Sequence, residues 1–286
     1  MLNLLGFARS KAILCIASAL VSISLIGCTN YPTSAGIELA DEAGASRINT
    51  PARILSAYHG LDSLPALGTG LCGIRITGED GMPVVFSVQI DNDSISPEVF
   101  AVETSAGDIV TPVCATLRPA VEPLEQRTIL LVGPFSSSDS HPTGVEVVGE
   151  LKGRNGNSLL GLRIGEVTAL AAGPSLVFAE RFSPNTRGIA GECPEESVQA
   201  IQLTWEGGVT GPQGEDLAEE QRTAISVLLE NGDLVHPISL GEDDPDNHII
   251  ACLAESSRAV SVSVLPGYFH DPGDDANPAT SIVVGY

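Results

Sequence analysis

The chain has 286 residues, with 36 Asp and Glu against 14 Lys and Arg and a formal net charge of −22. A surface this acidic repels phosphate backbones and anionic headgroups, which excludes nucleic acid as a partner. Hydrophobic residues make up 43% of the chain, enough to build a core, which excludes a wholly disordered polymer.

The first residues carry a short positive head, Arg9 and Lys11. Ala12 to Ile26 is then apolar apart from Ser18, Ser22 and Ser24. That run is shorter than the roughly 20 residues a comfortable membrane span needs, and it suits the hydrophobic part of an export signal. It ends in Leu25-Ile26-Gly27-Cys28. This motif resembles the lipobox of bacterial lipoproteins. The resemblance implies a signal peptide over residues 1–27, cleavage before Cys28, and lipid (diacylglyceryl, with palmitate-type acyl chains) on that cysteine. Buried acyl carbons are worth about 0.8 kcal/mol each, so several chains make a lasting anchor and the membrane is one partner. Thr29 follows the cysteine where an inner-membrane lipoprotein would commonly carry aspartate. The resemblance therefore implies the cell envelope, and the outer membrane if the cell is Gram-negative. The mature chain has 259 residues (286 minus 27), and loss of Arg9 and Lys11 takes the charge from −22 to −24.

Residues 28–50 are polar and without hydrophobic period, and are read as the lipidated N-terminus and tether. Residues 51–168 are read as a first β domain, with Pro51–Gly70 as an ordered lead-in. Val84, Phe86, Val88 and Ile90 alternate with Val85, Ser87 and Gln89, the period of a strand. Val99–Thr104, Ile109–Thr116, Arg127–Val132 and Val145–Leu151 are further strand candidates, divided by Pro, Gly, Asp and Ser turns. Residues 174–286 are read as a second β domain. There Ile201, Leu203 and Trp205 alternate with polar residues, as do Val260, Val262 and Val264. Glu215–Arg222 is the one helical candidate, and an acidic loop reads much the same.

The two series correspond. Phe100–Pro112 (FAVETSAGDIVTP) lines up with Ile225–Pro237 (ISVLLENGDLVHP). Arg127–Phe135 is paired with Val260–Phe269, and Val145–Leu151 with Ser281–Tyr286, which makes duplication the preferred reading. Export makes disulfides permissible, and four cysteines of the body, Cys72, Cys114, Cys193 and Cys252, allow three pairings. Under duplication the simplest is one bridge per repeat, Cys72–Cys114 and Cys193–Cys252.

The stretch Pro83–Val110 (PVVFSVQIDNDSISPEVFAVETSAGDIV) resembles the bacterial Ig-like domains of surface and cell-wall proteins, with a strand ending in Phe-Ser, a polar stretch, Phe-x-Val and a Gly turn. The whole chain is similar to envelope lipoproteins that carry such domains. The resemblance implies an all-β fold of two tandem Ig-like β-sandwich domains, and a structural, adhesive or binding role. It supplies no catalytic residue.

The histidines are His59, His141, His236, His248 and His270, and no H-x-H, H-E-x-x-H or G-x-S-x-G occurs. The chain is therefore read as non-enzymatic, with an envelope protein or glycan as partner. The alternative is a secreted hydrolase on an all-β scaffold, its Ser-His-Asp site assembled from distant segments. Two readings stand for the cofactor: none, with the acidic loops as solvated turns, or calcium, which takes six to eight oxygen ligands. Asp271, Asp274, Asp275 and Asn277 crowd one inter-strand loop and are the candidate ligands. Glu242, Asp243, Asp244, Asp246 and Asn247 crowd a second, and Asp91-Asn92-Asp93 a third. The lipid reading has a direct test. Cys28→Ala is expected to abolish metabolic labelling by a palmitate analogue; a variant labelled as strongly as wild type refutes the anchor.

Overall fold

The computed structural model describes residues 51–65, 69–73, 76–241 and 246–285. Cys28, the signal peptide and tether, and Glu242, Asp243 and Asp244 lie outside the described residues. The first half forms β1 (Ile54–Ala57), a single helical turn α1 (Thr69–Cys72), β2 (Asp80–Phe86), β3 (Phe100–Thr104), β4 (Ile109–Val110), β5 (Cys114–Thr116), β6 (Thr128–Gly133), β7 (Pro142–Val147) and β8 (Arg163–Ile164). Two antiparallel sheets, β1-β2-β6-β5 and β4-β3-β7-β8, face each other. This is the ABED and C′CFG arrangement of Ig-like sandwiches.

The second half repeats it with β9 (Leu176–Phe182), β10 (Gln199–Trp205), a short α2 (Glu219–Ala224), β11 (Ile225–Leu229), β12 (Leu234–Val235), β13 (Ser239–Gly241), β14 (His248–Leu253), β15 (Ala259–Val264) and β16 (Thr280–Val283). The sheets are β9-β10-β14-β13 and β12-β11-β15-β16, the same order strand for strand. Even the irregularities recur. β1 bulges against β2 between Ile54 and Ser56, and β9 bulges against β10 between Leu176 and Phe178. β7 bulges opposite Glu103 and Thr104, and β15 opposite Leu228 and Leu229. A bulge inserts one residue and raises local twist, so its repetition at matched register supports duplication more strongly than strand count does.

The repeat is also where expectation and structure diverge. Phe100–Pro112 does match Ile225–Pro237. The later pairings are displaced by one strand: β6 corresponds to β14, not to β15, and β7 to β15, not to β16. All the outward strands of such a sandwich share a Val/Ser/Gly vocabulary, so local similarity cannot separate neighbours in one sheet. Ile109–Thr116, expected as one strand, is two. Pro112 lacks an N–H to donate, and the chain crosses there from one sheet to the other; Pro237 marks the same crossing in the second half. Before the crossing, Gly107 (φ +87°) and Gly232 (φ +90°) take the left-handed position that closes each turn. Ile54–Ala57, read as part of a lead-in, is the first strand. The helix starts at Glu219 rather than Glu215, and Gln221 ties it down by donating to Tyr268 O at 2.9 Å.

Each sandwich has its own core. Met82, Val84, Phe86, Phe100, Ile129 and Val145 meet in the first; Leu203, Trp205, Ile225, Ile249, Val262 and Phe269 meet in the second. Trp205 and Phe269 pack with ring centroids 4.6 Å apart. Val85 is also buried, although alternation placed it outward, and all of β10 is buried. The outer face of each ABED sheet also carries a second apolar layer. Leu64, Ile76 and Val132 form it in the first half, and Phe182, Ile189, Ala200 and Ile250 in the second. Disulfides Cys72–Cys114 and Cys193–Cys252 pin these layers, with Cα atoms 6.1 and 5.6 Å apart. The pairing is as expected, but the positions are not equivalent. Cys114 lies on β5 opposite Val132, whereas Cys252 lies on β14 opposite Ser239.

Candidate functional site

The acidic loop after β15 is organised by its own backbone. Asp271 is buried, and its Oδ1 accepts from the N–H groups of Gly273 (2.9 Å) and Asp275 (2.8 Å). Its Oδ2 accepts from the Tyr58 hydroxyl at 2.6 Å. Asn277 Oδ1 accepts from the N–H groups of Tyr268 and Phe269, both at 2.9 Å, while Nδ2 donates to the carbonyls of Leu265 and Pro278. Asp274 takes a left-handed φ of +65°, accepts from Gln213 N at 2.7 Å and lies 2.9 Å from His270 Nδ1. Asp271 and Asn277 thus serve as loop braces, and the four expected calcium ligands do not form one cage. Asp246 and Asn247, from the second acidic cluster, sit at the start of β14. Among the described residues, the acidic or metal-ligating group whose ligand atoms lie within 4.8 Å of one another is Glu122, Glu125 and Asp246. Asp91 is a turn brace in the first sandwich, accepting from Asp93 N.

Asp271 faces Tyr58 because the loop closes on the junction of the two sandwiches, where polar side chains are unusually concentrated. Arg127 Nη2 lies 3.0 Å from Glu180 Oε2, and both side chains are 1% exposed. The guanidinium also stacks 4.3 Å from the Phe178 ring centroid. Asn247 Nδ2 donates to Thr128 Oγ1 and to Trp205 O, both at 2.8 Å. Tyr58 Oη also lies 2.7 Å from Ala172 O, so its single proton serves either this carbonyl or Asp271. The connecting segment is locked in turn: His59 N donates to Thr168 O, Thr168 N to Ala57 O, and Thr168 Oγ1 to Glu206 Oε1. Gly173 lies so close to Ala276 that a Cβ would fall 1.9 Å from its carbonyl oxygen. Leu124 fills the apolar layer of Phe182, Ile189 and Ile250.

The electrostatics follow from this burial. Burial first, then the hydrogen bond to Asp271, pushes the Tyr58 phenol far up, so it stays a neutral donor. Burial raises Glu206 against the lowering pull of Thr168 and Ser175. Burial, helped by the Arg127 charge, pushes His248 down from 6.5 to about 3, so this imidazole is neutral.

Ser–His contacts bear on hydrolase chemistry. Ser105 Oγ lies 3.3 Å from His141 Nδ1 on an exposed turn. Asp80 sits between Ser136 and His59: the Ser136 hydroxyl donates to Asp80 Oδ1 at 2.9 Å, and His59 Nε2 lies 3.7 Å from that same oxygen. In a catalytic triad the histidine stands between acid and serine and takes the serine proton. Here the carboxylate stands in the middle, so the serine donates to an acid rather than to a base. Burial would raise Asp80, but the nearby His59 imidazole and the Ser136 hydrogen bonds outweigh it and hold Asp80 below the usual carboxylate range.

Two outcomes are expected from the junction. Glu180→Ala removes the carboxylate from a buried guanidinium and should cost about 3–5 kcal/mol in urea unfolding, whereas Arg127→Met/Glu180→Leu together should recover most of that loss. A double variant no more stable than Glu180→Ala refutes the pairing. For His248, the unfolded chain binds a proton below pH 6.5 that the native chain refuses until about pH 3. Unfolded chains therefore hold more protons across that window, and stability falls as pH falls through it. His248→Gln should flatten the fall in melting temperature on going below pH 6.5; an unchanged slope refutes the assignment.

No family model matches the chain, and no curated protein matches it. Among solved structures, the N-terminal part of the bacterial S-layer protein SbsC aligns with 83% of this chain at 12% identity and a TM-score of 0.29, and the chain covers 45% of that structure.

Proposed function

We propose that the chain is a non-enzymatic cell-envelope lipoprotein, anchored through lipid on Cys28, whose two Ig-like sandwiches form a stiff arm for binding, adhesion or spacing against an envelope protein or glycan. The observation that supports this reading is the buried junction. Arg127–Glu180, Thr128–Asn247 and Tyr58–Asp271 tie the sandwiches to each other at three places. Tandem domains joined only by a linker swivel by default, whereas a well-packed polar interface holds one orientation. A fixed orientation suits a part that presents a surface at a set distance from a membrane. The two disulfides accord with an oxidising, extracytoplasmic compartment. The motif Leu25-Ile26-Gly27-Cys28 supports the anchor.

The reading is tested in intact cells. A photo-crosslinkable residue at Leu160 or Val198, both exposed, is expected to capture a discrete envelope protein or glycan, and the chain should fractionate with membranes. The purified chain should show no turnover on ester, amide and glycoside panels. Turnover lost on Ser105→Ala, or fractionation as a free soluble protein, refutes the proposal.

A further inference from the structure

Matched register allows the two sandwiches to be compared position by position. On the outward face of β4-β3-β7-β8 stand Glu103, Glu146 and Arg163, with Arg163 and Glu103 paired at 2.5 Å. The equivalent positions on β12-β11-β15-β16 hold Leu228, Ser263 and Ser281. Across that sheet Leu234, Leu228, Ser261 and Val283 stand in one row, one residue from each strand. Ser226, Ser263 and Ser281 form the next row. Leu234 is 67% exposed, Leu228 38% and Val283 79%, and Leu265 beyond the end of β15 is 53% exposed. None of these eight residues is charged, in a chain whose net charge is −22.

We propose that this face is the contact through which one copy of the chain packs on a second copy, sheet against sheet about a two-fold axis. Charge selects the occupant. Two chains of this net charge repel each other in most orientations, and a self-contact must find a face without carboxylates. A basic partner would be drawn to the acidic surface elsewhere and gain nothing from this one. A two-fold contact also sets each residue row against a copy of itself. Aliphatic ridges beside rows of small serines can interdigitate in that way, as the inner faces of a sandwich do. The outer strand β16 lies beside β9, with Gly285 just past its end donating to Ala179 O, and its own residues, Thr280–Val283, include neither Lys nor Pro, the usual guards against edge pairing. The first sandwich, with Glu103 and Glu146 on the same face, is guarded. The strands β12, β11, β15 and β16 are 2, 5, 6 and 4 residues long, so at about 3.4 Å per residue and about 4.8 Å between strands the face covers roughly 280 Å². That is about a third of the ~800 Å² per partner of a standard interface, so the association is weak and concentration-dependent. The inference rests on this face alone and does not depend on the lipid anchor.

The test is sedimentation equilibrium of the full chain in density-matched detergent, from about 10 to about 500 µM, the range in which a contact of this size associates. The wild-type weight-average mass is expected to rise toward twice the protomer, and to rise further at high salt, because salt screens the residual repulsion. Leu228→Glu/Val283→Glu should stay monomeric with an unchanged melting temperature. Ser263→Glu, which repeats Glu146 at its equivalent position, should weaken association at least tenfold and serves if the double variant fails to fold. Ile109→Glu, on the matching face of the first sandwich, should behave as wild type. A wild-type chain that remains monomeric throughout, or Glu variants that associate as strongly as wild type, overturns the proposal.

Discussion

A guanidinium withdrawn from water is tolerable only where a carboxylate is held against it, and Arg127 and Glu180 meet that condition from opposite sandwiches. Arg127 precedes β6 and Glu180 lies within β9, so neither sheet can rotate on the other without separating two dehydrated charges. The other contacts inherit this registration. Asn247 can reach Thr128, and Asp271 can reach Tyr58, only while the two ABED sheets keep this orientation. Buried ion pairs add little net stability because desolvation offsets attraction. Their effect here is to single out one orientation among many that apolar packing alone would accept.

The duplicated framework makes the divergence between halves informative. By strand register, Tyr58 corresponds to Glu180, Arg127 to Asn247 and Thr128 to His248. Each of these positions lies in the junction, and in each pair the two residues differ in chemistry. The core positions behave oppositely: Val84 and Leu203, Phe100 and Ile225, Val145 and Val262 remain apolar. A core requires only volume and apolarity, so it tolerates drift within a class. A junction between two copies requires complementary partners, which forces the copies apart. The outward C′CFG faces have separated too, one charged and one not.

Much of the fold is legible in the residues themselves. Alternation over β10 and β15 and the recurrent Gly-Asp turn with its following Pro are local signals, and they report a repeated all-β chain. The disulfide pairing followed from that repeat even though Cys114 and Cys252 are not equivalent. Five strands, β1, β8, β9, β13 and β14, escaped notice for physical reasons: β8 and β13 span only two and three residues, and β9 is bulged. β1 and β14 are buried on both faces or irregular, so neither shows a two-residue period. The acidic loop has a second role that its composition does not reveal. Asp271 and Asn277 have the composition of cation ligands, but carboxylates and amides brace turns with the same oxygens.

What the sequence determines by itself is whatever depends on near neighbours: the strand periods, the turns at Gly107 and Gly232, and the excess of acid. What only the tertiary structure decides is which distant groups share a dry environment. Arg127 and Glu180 are separated by 53 positions and Tyr58 and Asp271 by 213, and no local pattern marks either pair. The same holds for the uncharged face of β12-β11-β15-β16. Leu234, Leu228, Ser261 and Val283 are scattered along the chain, and they become one row only because hydrogen-bonded register sets them side by side. Periodicity tells which side chains leave a sheet on the same side; pairing between strands decides which of them meet.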